Sequence, residues 1–230
     1  MNVAFFGDSL GGGVILDEVN NKYKRLENSF AKMAGSALGL SILNFSKFGC
    51  TVVKGFEIVR AKAEQIASSR YTVLEFGGND CDHLWGEIAE NPMAEHPPKT
   101  ELNEFKRIYG EMIAFIRELG SRPVLLNLPP IEPQRYFSWF SRGLKAENIL
   151  GWLGGDVHYI YRWHELYSEA VERVARAFSA PLIDIRSEFL KRSDCASLLC
   201  TDGIHPNAAG HELIAAAIEK EVRSLGENLV

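Results

Sequence analysis

Five short runs rich in Val, Ile, Leu and Phe, at residues 2–6, 41–45, 72–76, 123–128 and 181–185, are separated by longer segments of helical period. A strand of a parallel sheet is buried on both faces, so it reads as one continuous apolar run. Parallel neighbours also need a long crossover between them, and a helix supplies it. The rhythm therefore specifies an α/β protein whose parallel sheet is covered on both faces. The helical segments fall near 22–38, 54–69, 101–120, 159–178 and 207–225. In the fourth, Ile160, Trp163, Tyr167, Ala170, Val171, Val174 and Phe178 form one apolar stripe, which predicts core packing.

No repeat, low-complexity tract or linker divides the 230 residues, so a single domain spanning 1–230 is expected, with 46% hydrophobic residues to fill its core. The segment 129–158 breaks the rhythm. There Pro129-Pro130-Ile131-Glu132-Pro133 leads into Tyr136, Phe137, Trp139, Phe140 and Trp152, an aromatic-rich insertion too long for an ordinary connection. It reads as an irregular excursion that forms a lid or a pocket wall, with Tyr136 and Trp139 as candidate substrate contacts, or that buries its own aromatics against the body.

Lys plus Arg total 25 against 30 Asp plus Glu, and no basic stripe is present, which argues against a nucleic-acid partner. The first strand begins at Asn2 with no basic leader, and no apolar stretch approaches the roughly 20 residues that cross a bilayer. A cytoplasmic protein without a membrane partner is expected. Cys50, Cys81, Cys195 and Cys200 lack zinc-ligand or C-x-x-C spacing and read as free thiols. No heptad marks an oligomer interface, and no oligomeric state follows.

The first strand runs directly into Gly7-Asp8-Ser9-Leu10-Gly11, and Asp202-Gly203-Ile204-His205-Pro206 precedes the last helix. A serine hydroxyl is a poor nucleophile until a base accepts its proton, and an imidazole does this near neutral pH. Ser9 and His205 form the candidate pair. In a tight turn the Asp202 carboxylate reaches the imidazole and fixes its tautomer. Pro206 suits the first position of a helix, which would set His205 at the cap. Ligands of open α/β sheets bind beyond the carboxyl ends of the strands, which is where Ser9 would sit. Two further segments at strand ends offer donors to an oxyanion: Gly49 through its backbone N–H and Asn79 through its side-chain amide.

Gly7-Asp8-Ser9-Leu10, Gly49 in its Asn-x-x-x-x-Gly setting, Gly77-Gly78-Asn79-Asp80 and Asp202-Gly203-Ile204-His205-Pro206-Asn207 resemble, in order, the four sequence blocks of the GDSL-type SGNH hydrolases. The likeness runs from residue 4 to residue 210. It implies a flavodoxin-like, three-layer α/β/α fold with five parallel strands. It also implies a serine esterase or acylhydrolase in which Ser9 is the nucleophile, His205 the base and Asp202 its support. The oxyanion hole would be formed by the Ser9 and Gly49 N–H groups and the Asn79 amide. By the same likeness Asp8 is structural and Asp80 braces the third block. Lys47-Phe48 replaces residues that are small in the family pattern. Cys50 and Cys81 directly follow two of the blocks, as small packing residues or as oxidation-sensitive thiols. His83 and Trp85, just past the third block, are candidates for the pocket mouth.

The implied substrate is a small acyl ester, either a carbohydrate O-acetyl ester or a short-chain acyl ester, with no cofactor and no metal. The other reading of the Gly7–Gly13 loop is a phosphate or nucleotide site at a helix N-terminus in a flavodoxin-like binding protein. It lacks both the Gly-x-Gly-x-x-Gly order and a P-loop ending.

Overall fold

The computed structural model describes residues 1–226, and its elements follow the chain as β1 (Asn2–Gly7), β2 (Val14–Asp17), β3 (Lys22–Arg25), α1 (Phe30–Ala37), β4 (Ser41–Asn44), α2 (Val52–Ala61), α3 (Ala63–Ala67), β5 (Tyr71–Glu75), α4 (Trp85–Glu90), α5 (Leu102–Glu118), β6 (Arg122–Leu126), α6 (Pro133–Phe140), α7 (Ala146–Trp152), α8 (His158–Ala177), β7 (Leu182–Ile183), α9 (Arg186–Leu190) and α10 (Ala208–Gly226). All five apolar runs are strands of one sheet, in the order β4-β1-β5-β6-β7. Every neighbouring pair is parallel. The chain moves outward from β1 to β4, then crosses back to β5 on the other side. The gap beyond the carboxyl ends of β1 and β5 is thus the topological switch point, where open sheets hold their ligands.

Alternate side chains of a strand point to opposite faces, and here each face has its own core. Ala4, Phe6, Leu74 and Leu125 pack against Phe56, Phe105, Met112 and Val171 from α2, α5 and α8. Phe5, Val124, Leu126 and Ile183 pack against Phe30, Phe189 and Ile214 from α1, α9 and α10. Burial of each such side chain contributes about 1.5–3 kcal/mol. The result is the three-layer α/β/α arrangement.

Three local expectations are corrected. The segment 22–38 is not one helix: β2 and β3 pair as an antiparallel hairpin from Val14↔Arg25 to Asp17↔Lys22, and only Phe30–Ala37 is helical. The turn is closed by Asp17, whose Oδ1 accepts the Val19 and Asn20 N–H groups, and by Asn21 at φ 51°, a conformation that asparagine tolerates. The helix near 54–69 is broken at Lys62 into α2 and α3. The aromatic insertion is not irregular: it contains α6 and α7. Helix α6 starts where Pro133 supplies a preset φ and Glu132 accepts the Arg135 N–H at 2.6 Å. These helices, α4 and the start of α8 share a third core around Trp85, Ile88, Ile131, Ile149 and Ile160. Among the described residues no helix is long and apolar enough to cross a membrane.

Candidate active site

The loop after β1 is held from beneath by a residue that sequence reasoning missed. The register Gly7↔Glu75 brings the end of β5 alongside the end of β1. There Glu75, 1% exposed, accepts the Asp8 N–H at 3.2 Å and the Gly11 N–H at 3.1 Å. Asp8 is structural, as implied: its Oδ1 accepts the Leu10 N–H at 2.8 Å and its Oδ2 accepts the Asn79 amide at 2.8 Å. Burial pushes the Glu75 carboxyl well up, and the nearby Asp8 charge adds to this. Burial raises Asp8 too, opposed by the hydrogen bonds from Leu10 and Asn79. Of the pair, Glu75 is the group pushed further above its ordinary range. The only signal for it in the sequence is an acid ending an apolar strand.

Gly7–Gly13 leads into strand β2, not into a helix. The phosphate-binding reading therefore lacks the helix N-terminus on which it depended.

His205 and Ser9 lie 196 positions apart in the chain, yet the Ser9 hydroxyl is 3.0 Å from His205 Nε2. On the other side of the ring, Nδ1 is 2.6 Å from Asp202 Oδ2. Asp202, fully buried, also accepts the Ile204 and His205 N–H groups at Oδ1, both at 3.1 Å. Burial raises the Asp202 carboxyl, but the hydrogen bonds and charge of His205 outweigh it and hold the group below its ordinary range. It is an ionised acceptor, so the ring proton sits on Nδ1 and Nε2 is left to accept the Ser9 proton. The turn requires glycine at 203: φ is 79°, and an added Cβ would lie 2.5 Å from the Glu132 carbonyl.

The cap is two residues further on than expected. Pro206 bridges to Leu199, and Asn207 caps α10 by accepting the Gly210 N–H at 3.1 Å. His205 is therefore anchored by the loop, its carbonyl accepting the Cys200 N–H at 2.8 Å.

Among the described residues, neither the Ser9 N–H nor the Gly49 N–H donates to a protein acceptor. Gly49 has φ 68° and open space where a Cβ would be, so the backbone conformation, rather than crowding, calls for glycine there. One amide proton of Asn79 goes to Asp8, which fixes the plane of the group and leaves the other proton available.

Asp80 joins the second and third blocks, its Oδ1 accepting the Val52 N–H at 2.9 Å. Burial lifts its carboxyl to about 7. Because the folded value lies above the ordinary 3.8, the stability it confers is complete below about pH 4 and is lost as pH rises to about 7. Asp80→Asn keeps an acceptor for Val52 without the charge. Urea unfolding at pH 5 and pH 8 is expected to show the variant gaining about 3 kcal/mol on the parent as pH rises. An equal gap at both pH values would contradict this.

A cavity of about 150 Å³ extends from Ser9. His83, Trp85 and Tyr136 line it, with His83 and Trp85 buried in its wall rather than at the mouth where the sequence put them, whereas Trp139 is not among the lining residues. Trp139 packs on Tyr23 at 6.1 Å, with Arg142 4.2 Å over its ring. Asp82 ties the wall together by accepting the Trp85 indole N–H and the Tyr136 hydroxyl, each at 2.8 Å, and pairs with Lys99. His83 sits among Trp85, Trp152 and Trp163 at 5.4, 5.0 and 6.1 Å, and burial lowers its pKa so that it is neutral. Tyr23, from the hairpin, lies 5.0 Å from His205, and Phe48 stacks over the same ring at 6.3 Å. Neither was foreseen as a wall residue.

Burial raises the Cys50 thiol to about 11 and the Cys81 thiol well above its ordinary range, so both are protonated packing groups.

Residues 5–213 match the sequence model of the GDSL-like lipase/acylhydrolase family. The chain belongs to that family. A GDSL esterase/lipase from Arabidopsis thaliana is 22% identical over 157 residues, covering 66% of this chain and 53% of that protein, so the chain spans about half the length of this relative. A lipase/acylhydrolase from Enterococcus faecalis has the same fold, with a TM-score of 0.66 at 19% identity over 97% of this chain and 95% of that one. An acetylxylan esterase from Geobacillus stearothermophilus gives 0.64 at 19% identity over 96% and 93%. The arrangement of β1, β5 and the Asp202–His205 turn in this member of the GDSL-like family is thus set in a shared scaffold.

Proposed function

We propose that the chain is a carboxylic ester hydrolase that cleaves a small acyl ester, a carbohydrate O-acetyl ester or another short-chain acyl ester, through an acyl-enzyme on Ser9. The observation that carries this reading is the continuous hydrogen-bonded line from Ser9 Oγ through the His205 ring to Asp202. As Oγ attacks the ester carbonyl, His205 Nε2 takes its proton and Asp202 stabilises the imidazolium. The oxyanion is met by the Ser9 and Gly49 N–H groups and the Asn79 amide. His205 then gives the proton to the leaving alkoxide. Water, deprotonated by the same nitrogen, releases the acid and restores the Ser9 hydroxyl. Family membership supports the ester chemistry, and the acetylxylan esterase of shared fold is in keeping with an acetylated sugar.

A fluorophosphonate is expected to label Ser9 and to abolish hydrolysis of p-nitrophenyl butyrate in proportion to labelling. Labelling elsewhere, or none in folded protein, would overturn the reading. Asn79→Ala is expected to cost on the order of 3 kcal/mol of transition-state stabilisation, mostly in kcat. A change confined to KM would assign Asn79 to substrate binding instead.

A further inference from the structure

We infer that the two halves of the ester occupy opposite ends of the cavity, a short acyl group in the more enclosed cell walled by Trp85, Trp152 and Trp163, and the alcohol at the open rim of Tyr23 and Phe48. This rests on the serine-ester reading and deepens it. A tetrahedral carbon on Ser9 Oγ has three other substituents. The oxyanion faces the N–H groups of Ser9 and Gly49 and the Asn79 amide. The leaving oxygen must come within reach of His205 Nε2, which holds the proton it needs. The acyl carbon takes the direction that remains.

The two ends differ in kind. Around His205 the wall is open: Tyr23 is 38% exposed and Phe48 58%. These rings come from the β2–β3 hairpin and from the loop that carries Gly49, and they touch at 5.4 Å. Two exposed aromatic faces beside the leaving-group base suit a ring-shaped alcohol that extends into solvent. The other end is more enclosed, with Trp152 and Trp163 half-buried and Tyr159 38% exposed. His83, Trp85, Leu153 and Ile160 are all buried, and Trp85 is stacked on Phe140 at 4.2 Å, so α4, α6, α7 and α8 wall it together. The cavity, rim included, is about 150 Å³, roughly the room of one six-membered ring, so its inner end limits the acyl group to at most about six carbons. The size of the acyl group is therefore set by the two half-buried tryptophans, Trp152 and Trp163, which come from different helices.

The test compares kcat/KM for p-nitrophenyl esters from acetate to decanoate in the parent, Trp152→Ala, Trp163→Leu and Phe48→Ala, with fluorophosphonate labelling of Ser9 in each. The parent is expected to fall by at least about tenfold from butyrate to decanoate, the scale on which a filled apolar pocket rejects extra methylenes. At least one tryptophan variant is expected to regain decanoate relative to butyrate by about fivefold or more. Phe48→Ala is expected to keep the parent's chain-length ratio while raising KM for an acetylated sugar. A parent profile that is flat from butyrate to decanoate would overturn the inference. So would an unchanged profile in both tryptophan variants while they still label, or a shifted chain-length profile in Phe48→Ala. In all of these cases a labelled parent leaves the serine mechanism standing; a folded parent that does not label removes the mechanism first.

Discussion

Ser9→Ala is expected to reduce kcat for p-nitrophenyl acetate by on the order of 10⁵–10⁶-fold, with KM changing little. Ser9 is 9% exposed, and its hydroxyl is bonded to the His205 ring, so its removal deletes the attacking atom without opening the core. The oxyanion donors remain in place because they belong to the backbone and to Asn79, and they can still favour direct attack by water weakly. Thermal unfolding should differ by only a few degrees from the parent, which separates lost chemistry from lost structure. Equal turnover by the two proteins would take Ser9 out of the mechanism.

Asp202→Asn should be nearly as damaging, by about 10⁴-fold in kcat, the scale seen when the acid of a serine triad becomes an amide. The reason lies in the protons. The retained oxygen can still accept the Ile204 and His205 N–H groups, so the turn survives. The amide nitrogen, placed where Oδ2 lies 2.6 Å from Nδ1, offers a donor where the ring needs an acceptor. His205 is then driven to carry its proton on Nε2, facing Ser9, where it cannot act as a base. A second, smaller consequence is in stability: the depressed Asp202 carboxyl stabilises the fold above its ordinary pKa, and this is lost as pH falls. A variant with parental kcat would show that the carboxylate does not set the tautomer.

The sheet was legible in the chain because its strands are largely covered on both faces, so all five appear as short runs rich in Val, Ile, Leu and Phe. The Asp202–His205 contact was legible for a different reason: it is closed within one short turn and needs no long-range packing. The hairpin was not. Lys22–Arg25 is exposed on both faces, so no alternation marks it as a strand, and its charged residues read as the start of a helix. With the hairpin, Tyr23 was lost from the expected site. Glu75 was overlooked because its role comes only from the β1–β5 register. The acyl end of the cavity draws its wall from four helices that no local pattern brings together. Trp139 was misplaced because, on α6, Tyr136 and Phe140 turn toward Trp85 while Trp139 turns toward Tyr23.

All of the chemistry turns on a covalent bond between Ser9 and the acyl group of the substrate. The most direct measurement is mass spectrometry of enzyme quenched in acid during turnover of p-nitrophenyl butyrate, followed by peptide mapping. The account predicts a butyryl adduct on the peptide that carries Ser9, formed and lost at rates that match turnover, and absent from Ser9→Ala. Full turnover with no adduct at any time under conditions that trap acyl-enzymes, or an adduct on another residue, would contradict it.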